Sequence, residues 1–379
     1  MNVQLGALTR EQPPFRAEHI GSLLRPAALL RQRDRFARGE ISQNDLTEAE
    51  NAAISQAIAL QERLGLRFVT DGEYRRRSYH SFFYQQLGDV RIDMVAGADA
   101  KGAEGDGGRG AQPVALVNGK LRWTHPINVD DFNFIKKRTA LLPKITIPGP
   151  CALHFRGGDA AVLAHAYRDV TAFWDDTVEA FARELSALAR AGCRYVQIDE
   201  TAFAKFGDPD VQAALAARGD DWRKLIDTYI AITNRVLRAA PKSLHIGMHL
   251  CRGNRGGHWH AEGSYEDVAE RLFNALEIPF YFLEYDTPRA GNFTPLRFVP
   301  KHKSVVLGLV SSKTPALEDR AALRARVEDA TRYVTLERLA VSPQCGFASV
   351  DTGNPVTPEV QEAKLRLVVE LARDIWGDA

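Results

Sequence analysis

His249 and Cys251 stand one residue apart in a His-Leu-Cys stretch. In an extended chain alternate side chains point to the same face, so an imidazole nitrogen and a thiol sulfur at this spacing can reach one ion. Zinc takes His nitrogen at about 2.0–2.1 Å and Cys sulfur at about 2.3 Å, so the pair suits Zn2+. Glu284 and Cys345, at the ends of later apolar runs, supply a carboxylate and a second thiol that would complete a four-ligand shell. A lone His-x-Cys is a weak signal, because such residues are more often packed in a core. Four candidate ligands on three strand ends are a stronger one. The remaining cysteines have weaker cases: Cys193 begins an apolar run and reads as a packed small hydrophobe. Cys151 follows the Pro148-Gly149-Pro150 turn and could line the site without being a ligand.

These residues need a scaffold that gathers distant strand ends. Short β-branched runs recur at 16–20, 67–70, 144–147, 195–198, 244–248, 280–283, 304–307 and 339–341, with long amphipathic stretches between them. That alternation is the pattern of a parallel sheet wrapped by helices, and eight runs predict an α/β fold, a (β/α)8 TIM barrel. In such a barrel catalytic groups lie just past the C-terminal ends of the strands. The residues there include Gly21-Ser22, Asp71-Gly72-Glu73, Asp199-Glu200, His249-Leu250-Cys251, Glu284, Val310-Ser311-Ser312 and Gln344-Cys345-Gly346. Helix ends are legible too: Ser42 caps a helix that stops at Gly65, 161–191 reads as one helical region closed by Gly192, and Thr357-Pro358-Glu359 opens a last helix to about Trp376.

From about residue 88 to 142 the alternation breaks. Two β-like arms, 90–94 and 114–123, flank a glycine-rich run. We read an inserted hairpin-like excursion on top of the barrel, acting as a lid or as a contact within a homo-oligomer, in a single domain spanning 1–379. The run contains Gly105-Asp106-Gly107-Gly108-Arg109-Gly110, a formal dinucleotide fingerprint. It lacks the preceding strand, following helix and later acidic residue that fingerprint requires, so we read it as a flexible loop.

The 379 residues carry 49 Lys+Arg against 48 Asp+Glu, a net charge of +1 that leaves no footprint for nucleic acid or an anionic membrane. No apolar run approaches the roughly 18 residues of a membrane span, and the first fifteen residues lack a signal-peptide core, so a cytoplasmic location is expected. Four cysteines are too few for a disulfide scaffold.

The strand-end residues fall into motifs: HIGSLLRP (19–26), VTDGEYRR (69–76), IPGP (147–150), QIDE (197–200), HLC (249–251), FLEYD (282–286) and SPQCGF (342–347). With these seven in order, the chain from Arg16 to about Trp376 resembles the catalytic C-terminal barrel of cobalamin-independent methionine synthase. It resembles more closely the short bacterial relatives that lack the N-terminal half. The resemblance implies one zinc held by His249, Cys251, Glu284 and Cys345, and methyl transfer to homocysteine sulfur in methionine biosynthesis. It also implies that Ser22, Glu73 and Asp199 hold homocysteine, and two carboxylates do suit an ammonium group. Coordination to zinc would supply a thiolate at neutral pH, with Glu284 as the ligand that loosens when the thiol arrives. Asp199 and Glu284 are therefore the expected catalytic residues.

The chain departs from the synthase in the donor region. Val310 stands where the synthase has a proton-handling histidine, and 150–156 offers no secure equivalent of the aromatic residue near the folate ring. The expected partners are accordingly a small thiol and a methyl or alkyl donor. A thiol-alkyltransferase or demethylase with a different electrophile is the alternative, and a non-catalytic zinc barrel is a third reading. Arg75-Arg76-Arg77 with Tyr79 and His80 reads either as an anion site or, more often for such a run, as a solvated helix face. The loop from Arg252 to His260 reads as a specificity or proton-transfer loop, or as merely flexible.

Overall fold

The computed structural model describes residues 15–95, 112–164 and 167–378. Nine strands occur among them: β1 Phe68–Val69, β2 Leu87–Val95, β3 Gln112–Trp123, β4 Leu142–Pro148, β5 Tyr195–Asp199, β6 His245–Leu250, β7 Phe280–Glu284, β8 Ser304–Val310 and β9 Leu339–Pro343. Seven form one sheet in the order β1-β4-β5-β6-β7-β8-β9, and all neighbouring pairs are parallel. Strands β5, β7, β8 and β9 are buried at every position, as parallel strands covered on both faces must be.

The eighth stave is the stretch 16–20, which makes a single parallel bridge from Ala17 to Val341, with Glu18 N–H donating to Val341 O at 2.9 Å. Its other side is tied to the exit of β1: the Thr70 hydroxyl donates to Gly21 O at 2.8 Å and Leu23 N–H to Gly72 O at 3.0 Å. The sheet thus closes as the predicted (β/α)8 barrel, with all eight runs in place.

The barrel interior near the start of β4 is polar. Lys144 and Glu18 pair at 3.2 Å with neither side chain exposed, and Tyr195 donates to the same carboxylate at 2.8 Å. The Lys144 ammonium sits among the rings of Phe68, Tyr195 and Phe282, 4.5–5.1 Å from their centroids. Burial pushes the Glu18 pKa up to about 7 despite that ammonium. Next to it, His19 Nδ1 accepts from Gly21 N–H at 3.2 Å, which leaves Nε2 to donate to Gln61 Oε1 at 3.0 Å. Burial, reinforced by Lys144, pushes the His19 pKa down to about 3. The imidazole is therefore neutral and fixes the turn that leads to Ser22.

The expected helix ends are present. Ser42 and Asp45 form a reciprocal capping box at the start of helix Gln43–Leu64, which Gly65 closes in the left-handed conformation. Pro358 opens the last helix, Pro358–Trp376. The expected single helical region 161–191 is instead two helices, Gly158–Leu163 and Val170–Ala191. The Asp169 side chain caps the second by accepting from Ala172 N–H, so a new helix starts there.

The arms of the excursion are β2 and β3, an antiparallel pair. The base of the hairpin is clamped to helix Val170–Ala191 by Glu184, which accepts from Trp123 Nε1 at 2.9 Å and from Ile127 and Asn128 N–H at 2.8 Å. A buried carboxylate with three donors is well satisfied, and it holds the arms against the barrel's flank. The glycine-rich run and its fingerprint lie outside the described residues. Among the described residues no helix is long and apolar enough to cross a membrane.

Candidate active site

Strand register assembles the site. β4, β5 and β6 run level, pairing Pro148 with Asp199 and Asp199 with His249, so the last two leave adjacent strands side by side. His249 Nδ1 donates to Asp199 Oδ1 at 3.0 Å, and its Nε2 lies 3.3 Å from Gln344 O. Cys251, just past β6, and Cys345, just past β9, bring their sulfurs within 4.0 Å of each other. One ligand atom from each of His249, Cys251 and Cys345 lies within 4.8 Å of the other two, and all three residues are buried. Burial disfavours charge on His249, but Asp199 and Cys345 outweigh it and raise the pKa to about 10. A hydrogen bond from Cys345 holds the Cys251 thiol below its ordinary range, and Cys345 is pushed up in turn.

Glu284, the fourth expected ligand, stands outside this group. Its fully buried carboxylate accepts from Arg252 N–H at 2.6 Å, from Lys313 Nζ at 3.3 Å and from Arg289, with the Arg252 guanidinium 3.8 Å away. Burial alone would raise its pKa, but Lys313, Arg289 and Arg252 outweigh burial and hold the group well below the usual carboxylate range.

Glu73 shares the cleft with Asp199. Glu73 Oε1 accepts from the Thr146 hydroxyl at 2.7 Å and faces Arg76 at 3.4 Å, whereas Oε2 is buried without a partner. Burial and nearby Asp199 raise the Glu73 pKa, against the pull of Arg76. Its backbone φ of +61° is uncommon for a residue with a side chain, a local strain of the kind that gathers at functional sites. Ser22 is buried at the cleft wall, with Oγ 3.4 Å from Ala348 N. Two glycines allow this crowding. Gly21 has φ +126°, and a Cβ there would lie 2.6 Å from Thr146 Cγ2, while a Cβ on Gly346 would strike Ser22 Oγ.

Ser22, Glu73, Asp199, His249, Cys251 and Cys345 all line one cleft open to solvent. Arg156, Lys205 and Arg255 line it too, beside His80, whose pKa is pushed down to about 3 by burial, Arg156 and Lys205. The cleft therefore holds both an acidic cluster and a basic one. The 252–260 loop contributes Gly253, Asn254, Arg255 and His260 to its wall, while Arg252 is fully buried and anchors the loop to Gly263 O. Within the 75–77 run, Arg75 pairs with Glu50 and Asp131, and the buried Arg76 donates to Thr146. Arg75 and Arg76 are thus scaffold, Arg77 is exposed, and of this stretch Tyr79 and His80, stacked at 4.8 Å, face the cleft. Cys151 lies outside it, its sulfur 3.8 Å from Tyr229 O and Thr233 Oγ1, and Cys193 is a core residue. Lys313 and Arg289 escaped the sequence reading, since each lies three to five residues past its strand end.

The family model described as "Cobalamin-independent synthase, Catalytic domain" matches residues 15–374. The chain belongs to this family. It is accordingly an enzyme of the methyltransferase class. Two Bacillus subtilis proteins named only as uncharacterized, YxjH and YxjG, are 37% and 38% identical to it and cover 97% and 98% of the chain, and the matches span 96% and 97% of those proteins. A Pyrococcus furiosus protein named methionine synthase is 24% identical over 90% of the chain and 88% of its own length. Among solved structures, a Listeria monocytogenes protein provisionally assigned as a vitamin-B12-independent methionine synthase superposes with a TM-score of 0.73 at 32% identity, covering 97% of this chain and 99% of its own. A B12-independent methionine synthase from Shewanella, in complex with selenomethionine, gives 0.72 at 20% identity over 95% and 97% of the two chains.

Proposed function

We propose that this synthase-family chain transfers a methyl group to the sulfur of homocysteine, with zinc at His249, Cys251 and Cys345. The observation that carries the reading is the orphaned Glu73 Oε2, buried in the same cleft as a two-sulfur, one-imidazole group. An amino-acid thiol has the ammonium for one and the sulfur for the other.

The donor set fits zinc. Two sulfurs bound at ~2.3 Å in tetrahedral geometry are about 3.8 Å apart, and the thiols here stand at 4.0 Å. Asp199 on Nδ1 leaves Nε2 of His249 for a metal, the carboxylate–histidine arrangement common behind zinc ligands. When bound, zinc acts as a Lewis acid that lowers the pKa of a thiol brought to it.

The chain's own residues do the rest. Glu73 and Asp199 take the ammonium group, and Ser22 with its turn offers donors to the carboxylate. Asp199 also fixes the tautomer and orientation of His249. Orientation of sulfur against the methyl carbon is the main service the rigid barrel mouth performs. The resemblance offers Glu284 as a fourth ligand, and its carboxylate stands outside the group of three. A different electrophile as donor is the second reading, and Val310 favours it: on the resemblance, this buried apolar residue stands where the synthase has its proton-handling histidine. The test is a donor screen with homocysteine fixed, including methyltetrahydrofolates. Methionine formed from a folate supports the first reading, product from another donor alone supports the second, and product from none refutes both.

A further inference from the structure

His80 stands on the cleft wall with its imidazole held on three sides. Ser78 Oγ lies 2.6 Å from Nδ1, the Tyr79 ring stacks on it at 4.8 Å and the Tyr84 ring meets it edge-on at 6.3 Å. The other nitrogen, Nε2, is buried without a partner, in a residue only 8% exposed. An unpaired buried polar atom is costly, so a fold seldom keeps one it has no use for. When Nδ1 accepts from the Ser78 hydroxyl, the neutral ring carries its hydrogen on Nε2 and can donate it to a ligand.

The surroundings say what kind of ligand. The charges acting on the ring are those of Arg156 and Lys205, both positive, and Arg156 acts on Arg255 as well. All three cations line the cleft with His80. Topology gathers them. In the sheet order β1-β4-β5-β6, His80 lies in the loop after β1, and Arg156 follows the short helix Ala152–Phe155 after β4. Lys205 ends the helix Ala202–Lys205 after β5, and Arg255 stands in the loop after β6. Four neighbouring strand ends thus each send one nitrogen-bearing side chain to the mouth. Glu200, a carboxylate that acts with Lys205, is fully buried and already accepts from Cys151 N–H at 3.1 Å and Ala202 N–H at 3.0 Å. A cleft wall carrying charge of one sign concentrates ions of the other.

We propose that His80, Arg156 and Lys205, with Arg255, form an oxyanion subsite that takes a carboxylate or phosphate group of the methyl donor, with His80 Nε2 as the hydrogen-bond donor that fixes its position. That the donor bears the anion rests on the reading above, in which the groups of homocysteine go to Ser22, Glu73, Asp199 and the sulfur site. A donor without such a group would lose the contact, so the subsite selects among donors.

The test uses inorganic phosphate and glutarate as probes, titrated by calorimetry at fixed ionic strength into protein saturated with homocysteine. Wild type should bind one or both at about millimolar affinity, and which of them binds distinguishes phosphate from carboxylate. His80→Phe keeps the ring stack but removes the nitrogen, and it should weaken binding about tenfold, as should Lys205→Met. His80→Gln, which restores an N–H donor, should recover most of the loss. The ring-nitrogen resonance absent from His80→Phe should shift in wild type when the anion is added, which a merely structural role would not produce. Should His80→Phe not fold, Lys205→Met and Arg156→Gln carry the same comparison. Neither anion binding, or equal binding by wild type and the folded variants, overturns the subsite. Displacement of homocysteine by the anion also overturns it, because the cations would then serve the amino acid's own carboxylate. If homocysteine does not bind but His80-dependent anion binding persists, the subsite stands and the homocysteine reading falls.

Discussion

Replacing Glu73 with Gln tests the acidic cluster of the cleft with almost no change in shape. The carboxylate is buried, one oxygen is held by Thr146, and the other has no partner, a place the proposed reading gives to the substrate ammonium. A hydrogen bond to a charged group contributes about 1.5–3 kcal/mol net. At a factor of ten per ~1.4 kcal/mol, Glu73→Gln should therefore weaken homocysteine binding roughly ten- to 150-fold. Stability should move much less. Burial already raises the Glu73 pKa, so its charge is poorly solvated, and Arg76 keeps its bonds to Thr146 Oγ1 at 2.7 Å and Thr146 O at 2.9 Å after the change. We expect stability within about 1 kcal/mol of wild type. The pH dependence follows from the same shift. Protonation removes the charge that attracts the ammonium, and the raised pKa means that wild-type affinity is lost at a higher pH than an ordinary carboxylate would give. In Glu73→Gln that limb should be absent. Calorimetric titration of homocysteine from pH 8 down to pH 5, with thermal unfolding alongside, measures all three quantities. Affinity within twofold of wild type in a folded variant would refute the ammonium assignment.

Three further outcomes are expected. Purified protein should contain about one zinc per chain by elemental analysis, and Cys251→Ser or Cys345→Ser should lose most of it, since a soft sulfur donor is replaced by a poor one. Gly21→Ala should cost about 1–3 kcal/mol in urea unfolding, from a disfavoured φ and a Cβ 2.6 Å from Thr146, and should weaken homocysteine binding because Glu73 and Ser22 flank that turn. His19 stays neutral in the fold, with its pKa near 3 against 6.5 when unfolded, so its contribution is fully present above pH 6.5 and is lost as pH falls toward 3. Between pH 7 and pH 5 wild type should lose about 2 kcal/mol more than His19→Gln does, and parallel pH profiles would contradict this.

The barrel was legible because its strands are buried on both faces and so read as continuous apolar runs. The stretch 16–20, Arg-Ala-Glu-His-Ile, takes its place as a stave although it is not an apolar run and makes one bridge in place of a ladder. What charge patterns imply proved harder to read. Arg76 and Arg252 looked like members of a basic run and of a mobile loop, yet both are buried and spend their donors on carbonyls and carboxylates. Sequence spacing cannot show that a guanidinium has partners waiting seventy residues away. The same limit hid Lys313, whose pairing depends on the loop after β8 facing the carboxylate that ends β7. Glu73, Asp199, His249, Cys251 and Cys345 were accessible because strand ends converge by topology alone, whereas the place of Glu284 depends on which cations surround it.

Asp199 Oδ1 accepts from His249 at 3.0 Å and from Gln197 Nε2 at 2.7 Å, and the same Gln197 nitrogen donates to Ile20 O at 2.7 Å. One buried strut therefore spans from the imidazole to the strand that leads into Ser22. On the proposed reading its two ends are the two ends of the substrate, so the strut is a gauge of chain length. Cysteine, one methylene shorter than homocysteine, would have to bridge the same rigid span with a shorter chain. A methylene in an apolar pocket discriminates by only ~1–3 kcal/mol. A rigid span between two charged anchorages discriminates by a whole lost contact, so the barrel would choose its thiol by measuring it.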